Sequence, residues 1–380
     1  MLKKFEVKNF KNFKERISID FSKVGGYQFS KDCISSNMIG KMLIYGKNAT
    51  GKTNLGRAIT DIRKTLIFPS IGNNNLFLNA DSSEEYAEFV YYFQFGTDEV
   101  KYLYRKKSAN IICYEELSIN GQEFFVNEIA FRGMVLTPSE ELLKQRININ
   151  RYIEVYEEND DVDGRRTIPF LRWMVNNTAL EEDSIPMMLY NYVKEMFFVS
   201  LQTVSDFRFQ RSVEDFFNDL AKESHLKDLE EFLNAMGVQC ELRILKLPDG
   251  TAELYFKHDR LIPFIQTASS GTIALLSIYR RLYNLKDVSF MYIDEFDAFY
   301  HYEMAENMIA YLKKRYPRCQ IILTTHNTNL MTNRIMRPDC LFILSTYGTL
   351  TPLCEATTRE LREGHNLEKM YISGEFEAYE

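Results

Sequence analysis

The segment GKNATGKT, residues 46–53, has two glycines separated by four residues and followed by a lysine and a threonine. Such a loop, placed between an apolar strand and a helix, points backbone N–H groups at a phosphate chain. Lys52 would reach the β- and γ-phosphates, and the Thr53 hydroxyl would ligate Mg²⁺. The segment therefore predicts a site for ATP with Mg²⁺. The residues expected to contact this ligand are Gly46, Asn48, Ala49, Thr50, Gly51, Lys52, Thr53 and Asn54.

Two carboxylates follow a second apolar run. Residues 290–293, FMYI, are typical of a buried strand, and Asp294 and Glu295 come directly after them. Asp294 is placed to hold Mg²⁺, commonly through water, and Glu295 to polarise an attacking water molecule. An acidic surface turn is the alternative. The apolar strand before the pair and the phosphate-binding segment upstream favour catalysis.

A histidine follows a third apolar run, IILTT, in the same manner. His326 is in a position to sense a γ-phosphate. A single histidine is more often structural, so this interpretation depends on the two motifs described above.

A helix beginning with serines lies shortly before the acidic strand. Ser269, Ser270 and Gly271 precede the helical pattern IALLSIYRRL. Serine before a helix needs no ligand, because it caps the helix. The same helix start is also an anion site, so these three residues, called the serine tip below, are expected to contact nucleotide.

The elements that must position these motifs divide the chain of 380 residues into three predicted parts. Residues 1–127 combine the nucleotide loop with strands that alternate apolar and polar residues, which is typical of an antiparallel sheet. Residues 128–235 are predicted to be a helical insertion. Residues 236–380 contain the serine tip, the acidic strand and the histidine strand.

Composition excludes several classes of protein. The net charge of −7 and the pI of about 5.5 argue against a broad basic surface for nucleic acid. Six cysteines without metal-ligand spacing predict free thiols in a reducing cytosol rather than a zinc site. No long apolar run and no leader pattern is present, so we expect a cytoplasmic protein without membrane association.

In their order along the chain, the four motifs resemble the ABC-type ATPase heads of the SMC/RecF class. Loops of that class read GxNGSGKSN, whereas this chain reads GKNATGKTN, so Ala49 and Thr50 replace glycine and serine. The segments SSGTIALL, IDEFDAFYH, LTTHNTNLM and ELREGHNLEKMYISGEF look closer still to small AAA-type ATPases related to bacterial abortive infection and antiphage defence. The ATPase of the PARIS defence system has a related head. The resemblance covers residues 1–110 and 236–380.

The resemblance implies a two-lobed α/β head of the P-loop NTPase type, with an antiparallel subdomain and a helical insertion. It implies that the serine tip of one chain completes the ATP site of another, so that a homodimer or higher oligomer forms around the nucleotide. Hydrolysis would then gate a separately encoded effector, for example a nuclease, in antiphage defence.

Two other functions stay open. One is a DNA-repair ATPase of RecF type that binds duplex DNA, and the other is a P-loop kinase. The glutamine that ABC-type heads place near the metal cannot be located, since Gln94 lies in an alternating strand.

Overall fold

The computed structural model describes residues 1–68, 76–130, 133–144, 147–158, 167–200, 212–248, 250–285 and 287–380. The strands are β1 Leu2–Lys8, β2 Ile17–Asp20, β3 Ile34–Ser35, β4 Met38–Ile39, β5 Lys41–Tyr45, β6 Ala87–Phe95, β7 Asp98–Ser108, β8 Ile111–Ile119, β9 Gln122–Ala130, β10 Gly133–Pro138, β11 Met196–Ser200, β12 Leu242–Lys246, β13 Ala252–Phe256, β14 Ile262–Pro263, β15 Phe290–Asp294, β16 Gln320–Thr325, β17 Leu341–Leu344 and β18 Leu350–Pro352. The helices are α1 Lys52–Ile59, α2 Asp61–Leu66, α3 Glu140–Lys144, α4 Ile149–Glu158, α5 Phe170–Asn177, α6 Ile185–Lys194, α7 Ser212–Leu220, α8 Glu223–Ala235, α9 Phe264–Thr267, α10 Ser270–Leu282, α11 Tyr302–Arg315 and α12 Leu367–Ile372.

A six-stranded sheet, ordered β11-β15-β16-β5-β17-β18, carries the predicted motifs. Its strands are parallel except for β18, which is antiparallel to β17. Every residue of β5, β15 and β16 is buried, as expected for parallel strands covered on both faces. Because these three strands run in the same direction, the segments that follow them meet at one edge of the sheet.

A seven-stranded antiparallel sheet, ordered β10-β9-β8-β7-β6-β1-β2, forms the second layer. One face is apolar and aromatic, and the other carries charged pairs such as Arg16–Glu88 at 2.6 Å. This alternation confirms the antiparallel sheet predicted from the sequence, which also continues through β10. The mixed α/β fold class predicted from the sequence is confirmed.

Buried polar contacts join the antiparallel sheet to the helices after β5. The Tyr91 hydroxyl donates a hydrogen bond to the Ala58 carbonyl oxygen in α1 at 2.9 Å. The buried ammonium of Lys106 on β7 lies 2.9 Å from the Asp61 carboxylate in α2. The sheet therefore supports α1, the helix that begins at Lys52.

The segment expected to be a helical insertion, residues 128–235, is helical only in part. It contains α3 to α8, but also β10 and β11, and β11 pairs in parallel with β15. Residues 196–200, which lie within the predicted insertion, form a strand of the central sheet. A short apolar run such as MFFVS fits a buried strand and a buried helix equally well.

Residues 213–237 have an amphipathic pattern in the sequence, and the structure divides most of this segment between α7 and α8. The chain is extended at Lys222, where φ is −71° and ψ is 123°, and this residue precedes α8. No glycine or proline marks the break, so periodicity alone did not locate it. Among the helices of the described segments, none combines the length and apolarity needed to cross a bilayer.

Candidate nucleotide-binding site

The lysine loop, residues 46–53, connects β5 to the first turn of α1. Its backbone takes the left-handed conformation at Ala49, with φ of 65°, and at Gly51, with φ of 100°. A Cβ atom at Gly51 would also lie 2.1 Å from the Asn12 side chain, so only glycine fits there. Ala49 adopts its conformation at a cost of about 1–2 kcal/mol, because the left-handed region brings Cβ close to backbone oxygen.

The Lys52 side chain is held inside the loop. It is 4% exposed, and its Nζ donates hydrogen bonds to the carbonyl oxygens of Gly46 at 2.6 Å and Lys47 at 2.9 Å. Burial lowers the pKa of Lys52, while the nearby carboxylates, with Glu295 the largest contributor, oppose that shift. The ammonium group is therefore fixed inside the loop by these two carbonyl oxygens.

Thr53 and Asp294 supply oxygen donors that fit magnesium. The Thr53 Oγ1 atom donates a hydrogen bond to Asp294 Oδ2 at 2.7 Å, and Asp294 is fully buried. Hydroxyl and carboxylate oxygens are hard ligands, and Mg²⁺ is commonly held by one or two of them together with phosphates and water. Within the described segments there is no cluster of three His, Cys, Asp or Glu residues that would hold a metal without such additional ligands.

Glu295 follows in an unusual backbone conformation. Its φ is 48°, and its N–H donates to the Thr324 hydroxyl at 2.8 Å. Left-handed backbone at a residue other than glycine is uncommon and concentrates at functional sites. The residue is half-buried, so its carboxylate combines a fixed backbone with access to solvent.

His326 lies at the same sheet edge, directly after β16, and is exposed. The residue before it, Thr325, donates a hydrogen bond to Asp297 Oδ2 at 2.7 Å. Burial raises the pKa of Asp297, and the charge of His326 acts in the opposite direction. The strand end that carries His326 is thus tied to the acidic loop after β15.

The serine tip lies at the start of α10. The Ser269 Oγ atom accepts a hydrogen bond from the Thr272 N–H at 3.2 Å, which is the capping role that needs no ligand. Ser269 and Ser270 are exposed, and a Cβ atom on Gly271 would lie 3.2 Å from the Phe299 carbonyl oxygen. Among the hydrogen bonds of the described segments, none joins the serine tip to the lysine loop, and none uses the N–H groups of Ser270 or Gly271.

The structure therefore brings Lys52, Thr53, Asp294, Glu295 and His326 to one edge of the sheet and leaves the serine tip outside this group. The roles of these residues stay predictions.

Three polar residues of the site were not found from the sequence. The Asn12 side chain donates to the Thr50 carbonyl oxygen at 3.2 Å and accepts from Asn54 at 2.8 Å, which braces the lysine loop. Ser200 and Thr324 both donate to the Asp294 carboxylate, at 3.3 Å and 2.9 Å. All three stand at or near the end of a strand, which is the signal that could have identified them.

The last residues of the chain also contact the lysine loop. Glu380 Oε2 lies 2.5 Å from the Lys47 ammonium, and the Glu380 carbonyl oxygen accepts a hydrogen bond from the Thr346 N–H at 2.8 Å. The rings of Tyr371 and Tyr45 pack edge to face with centroids 4.7 Å apart. The segment around α12 therefore rests on the residues at the start of the loop.

Solved structures similar to this chain include heads of SMC proteins, although no curated protein matches it. One is the Smc head bound to the C-winged helix domain of ScpA, with 16% identity, coverage of 90% of this chain and 93% of that chain, and a TM-score of 0.46. The SMC head domain from Thermotoga maritima is 16% identical, with coverage of 92% and 98% and a TM-score of 0.44. A third, a Smc head with an extended coiled coil bound to the C-terminal domain of ScpA derived from Pyrococcus furiosus, is 17% identical, with coverage of 90% and 92% and a TM-score of 0.44.

A protein family matches residues 41–332, a range that includes the lysine loop, the serine tip, the acidic strand and His326. Its description reads "AAA domain, putative AbiEii toxin, Type IV TA system". The chain belongs to this AAA-domain family.

Proposed function

We propose that this protein is an ATPase that binds ATP with Mg²⁺ at the lysine loop and uses hydrolysis to control its assembly with a second copy. The observation that carries the proposal is the Thr53–Asp294 hydrogen bond of 2.7 Å. This bond brings a hydroxyl from the loop next to a carboxylate from the acidic strand, which supports a magnesium site at these two residues. Family membership supports the same conclusion.

The chemistry follows from charge. Lys52 and the N–H groups at the start of α1 neutralise the phosphate chain, and Thr53 and Asp294 orient the metal. Magnesium, when bound, supplies further positive charge to the β- and γ-phosphates. Glu295 accepts a proton from the attacking water, and His326 contacts the γ-phosphate from the neighbouring strand end.

A second chain completes the site through its serine tip. Ser269 and Ser270 are exposed, and the tip forms the start of α10, where the helix dipole favours an anion. ATP clamped between the lysine loop of one chain and the serine tip of another holds the two together. Hydrolysis weakens this link, so the nucleotide state determines the oligomeric state.

The output is control of a separate effector in antiphage defence. The AbiEii toxin in the family description supports a role in abortive infection. No metal-binding cluster of His, Cys, Asp and Glu that would indicate a nuclease centre occurs in the part of the chain that the structure describes. We propose a different polypeptide as the effector, with a nuclease as the first candidate.

The substitution Glu295→Gln tests this proposal. It removes the base and keeps the metal ligands, so the variant should bind ATP and hydrolyse it about 100-fold more slowly or worse. Dimers or larger oligomers should accumulate with ATP in light scattering. The control is Glu303→Gln, an exposed acid on α11. A Glu295→Gln variant that turns ATP over at the wild-type rate contradicts the assignment of the base.

The same purified protein separates the two alternatives. Salt-dependent binding of duplex DNA that increases with ATP would favour a repair ATPase, against the net charge of −7. Transfer of phosphate to an acceptor, in place of its release as free phosphate, would identify a kinase.

A further inference from the structure

Thr324, the residue two positions before His326, contacts three successive residues at the end of β15. Its hydroxyl donates a hydrogen bond to Asp294 Oδ1 at 2.9 Å and accepts one from the Glu295 N–H at 2.8 Å. Its carbonyl oxygen accepts a third hydrogen bond, from the Phe296 N–H at 3.2 Å. One threonine therefore holds the residues where β15 ends.

The sheet explains why Thr324 has this position. Strands β15 and β16 are parallel, and Ile293 pairs with Leu323, so Thr324 comes level with the end of β15. Both Thr324 and Asp294 are fully buried, so their hydrogen bond is shielded from water. A hydrogen bond to a buried carboxylate is stronger than one between neutral groups, and its removal leaves a buried carboxylate oxygen without this partner.

The backbone of Glu295 requires this partner. Its left-handed conformation, with φ of 48°, is unfavourable for a residue with a side chain and persists only where neighbouring groups fix it. The Thr324 hydroxyl satisfies the Glu295 N–H in that conformation. Because the same hydroxyl also bonds to Asp294, it connects the Asp294 carboxylate with the backbone that carries the Glu295 side chain.

We infer that Thr324 is a positioning residue for ATP hydrolysis: it sets Asp294 for the metal and Glu295 for the attacking water. The inference rests on the proposed ATPase function and adds a specific residue to it. Thr324 touches neither nucleotide nor water in this role, and its effect passes through the two acids.

Three variants test the inference. Thr324→Val keeps the shape of the side chain but removes both the donor and the acceptor, whereas Thr324→Ser keeps the hydroxyl. Thr60→Val is the matched control, because the Thr60 hydroxyl is also buried but bonds only to the Gly56 carbonyl oxygen, at 2.7 Å. Thermal unfolding of each variant shows that it is folded before its activity is compared.

We expect Thr324→Val to lower kcat about 100-fold, the scale of a small misplacement of catalytic groups. Affinity for ATP in the absence of Mg²⁺ should change little, since the lysine loop is intact. The Mg²⁺ concentration for half-maximal turnover should rise, because Asp294 loses its orientation. Thr324→Ser should recover most of kcat, and Thr60→Val should resemble the wild type.

Other outcomes distinguish a failure of this inference from a failure of the proposed function. If the wild-type protein hydrolyses ATP and Thr324→Val is fully active, the role assigned to Thr324 is wrong, but the proposed function is unaffected. The same holds if Thr324→Val and Thr324→Ser lose activity equally, since the hydroxyl is then not the active feature. A wild-type protein that neither binds nor hydrolyses ATP overturns the proposed function, and with it this inference.

Discussion

The lysine loop and the serine tip, which the proposed function places on opposite sides of one nucleotide, differ in how their polar groups are satisfied. In the loop, Lys52 is buried and bonded to two carbonyl oxygens, and Thr53 is bonded to Asp294. At the tip, Ser269 and Ser270 are exposed, and the Ser269 side chain bonds only within its own helix start.

This difference shows which half of the site a single chain can organise. The loop and the acidic strand are brought together in one sheet, in which β16 lies between β5 and β15, so their geometry is fixed by folding. Ser269 and Ser270 of the serine tip are exposed, so we propose that its ligand is supplied by a second chain. Each of the following experiments changes one side of this comparison.

The largest effect is expected from Lys52→Ala. Loss of the charged donor should weaken ATP binding by about 100-fold, the upper range for a hydrogen bond to a charged group. The fold should be little affected, and binding is measured by isothermal titration calorimetry. Lys47→Ala is the control, because this lysine is in the same loop but its ammonium pairs with Glu380. If Lys52→Ala bound ATP with unchanged affinity, the lysine loop could no longer be regarded as the part of the site that binds ATP within one chain.

A negative charge at the serine tip should prevent the tip from contacting a partner's nucleotide and should leave the lysine loop intact. In Ser270→Glu, the lysine loop should still bind ATP, but the added carboxylate should repel the phosphates of a partner's nucleotide and prevent the dimer from turning over ATP. Thr267→Glu, an exposed change outside the tip, is the control.

Mixing the two disabled variants sharpens this test. A Lys52→Ala chain retains its tip and a Ser270→Glu chain retains its loop, so a mixed dimer contains one complete site. ATP hydrolysis should therefore reappear in the mixture. A mixture as inactive as its components would contradict a shared site.

A smaller effect is expected where α1 packs on the sheet. A Cβ atom at Gly56 would lie 2.4 Å from the Tyr292 ring and 2.7 Å from the Phe198 ring, so Gly56→Ala overpacks the contact. The free energy of unfolding should fall by about 1–3 kcal/mol, as measured by denaturant titration. ATP affinity should fall as well, because α1 carries Thr53. Gly133→Ala, where a Cβ atom meets open space, should lose neither.

The smallest effect is expected from Ala49→Gly. Glycine relieves the left-handed strain at φ of 65° but adds entropy to the unfolded chain, so the free energy of unfolding should change by less than about 1 kcal/mol. ATP binding should be preserved. Ala58→Gly, in the buried interior of α1, should instead destabilise the protein by about 1 kcal/mol or more. A large loss of stability in Ala49→Gly would show that the alanine methyl group has a role of its own.

The sequence predicts a buried strand before the lysine loop, before Asp294 and before His326, because a short apolar run precedes each of them. It divided these strands between two lobes, whereas β5, β15 and β16 belong to one sheet. It did not allow β11 to be recognised, since MFFVS follows a helix and precedes no recognisable motif. Ser200 at the end of β11 was missed for the same reason.

Thr324 was missed for a different reason. Threonine favours strands, so within IILTT it suggests only strand propensity. Its contacts with Asp294 and Glu295 depend on the register between β15 and β16, which local sequence does not encode. The proposed contact of the serine tip with a second chain depends on a surface outside this chain.

The contact between Glu380 and Lys47 offers a practical way to observe the nucleotide loop. The Lys47 ammonium pairs with Glu380, and the Lys47 carbonyl oxygen accepts a hydrogen bond from Lys52. A rearrangement of Lys52 should therefore change the contact between Lys47 and Glu380. The amide of Thr346 donates to that same terminal residue. Deuterium uptake at this amide can therefore report on loop occupancy without a label placed at the site itself.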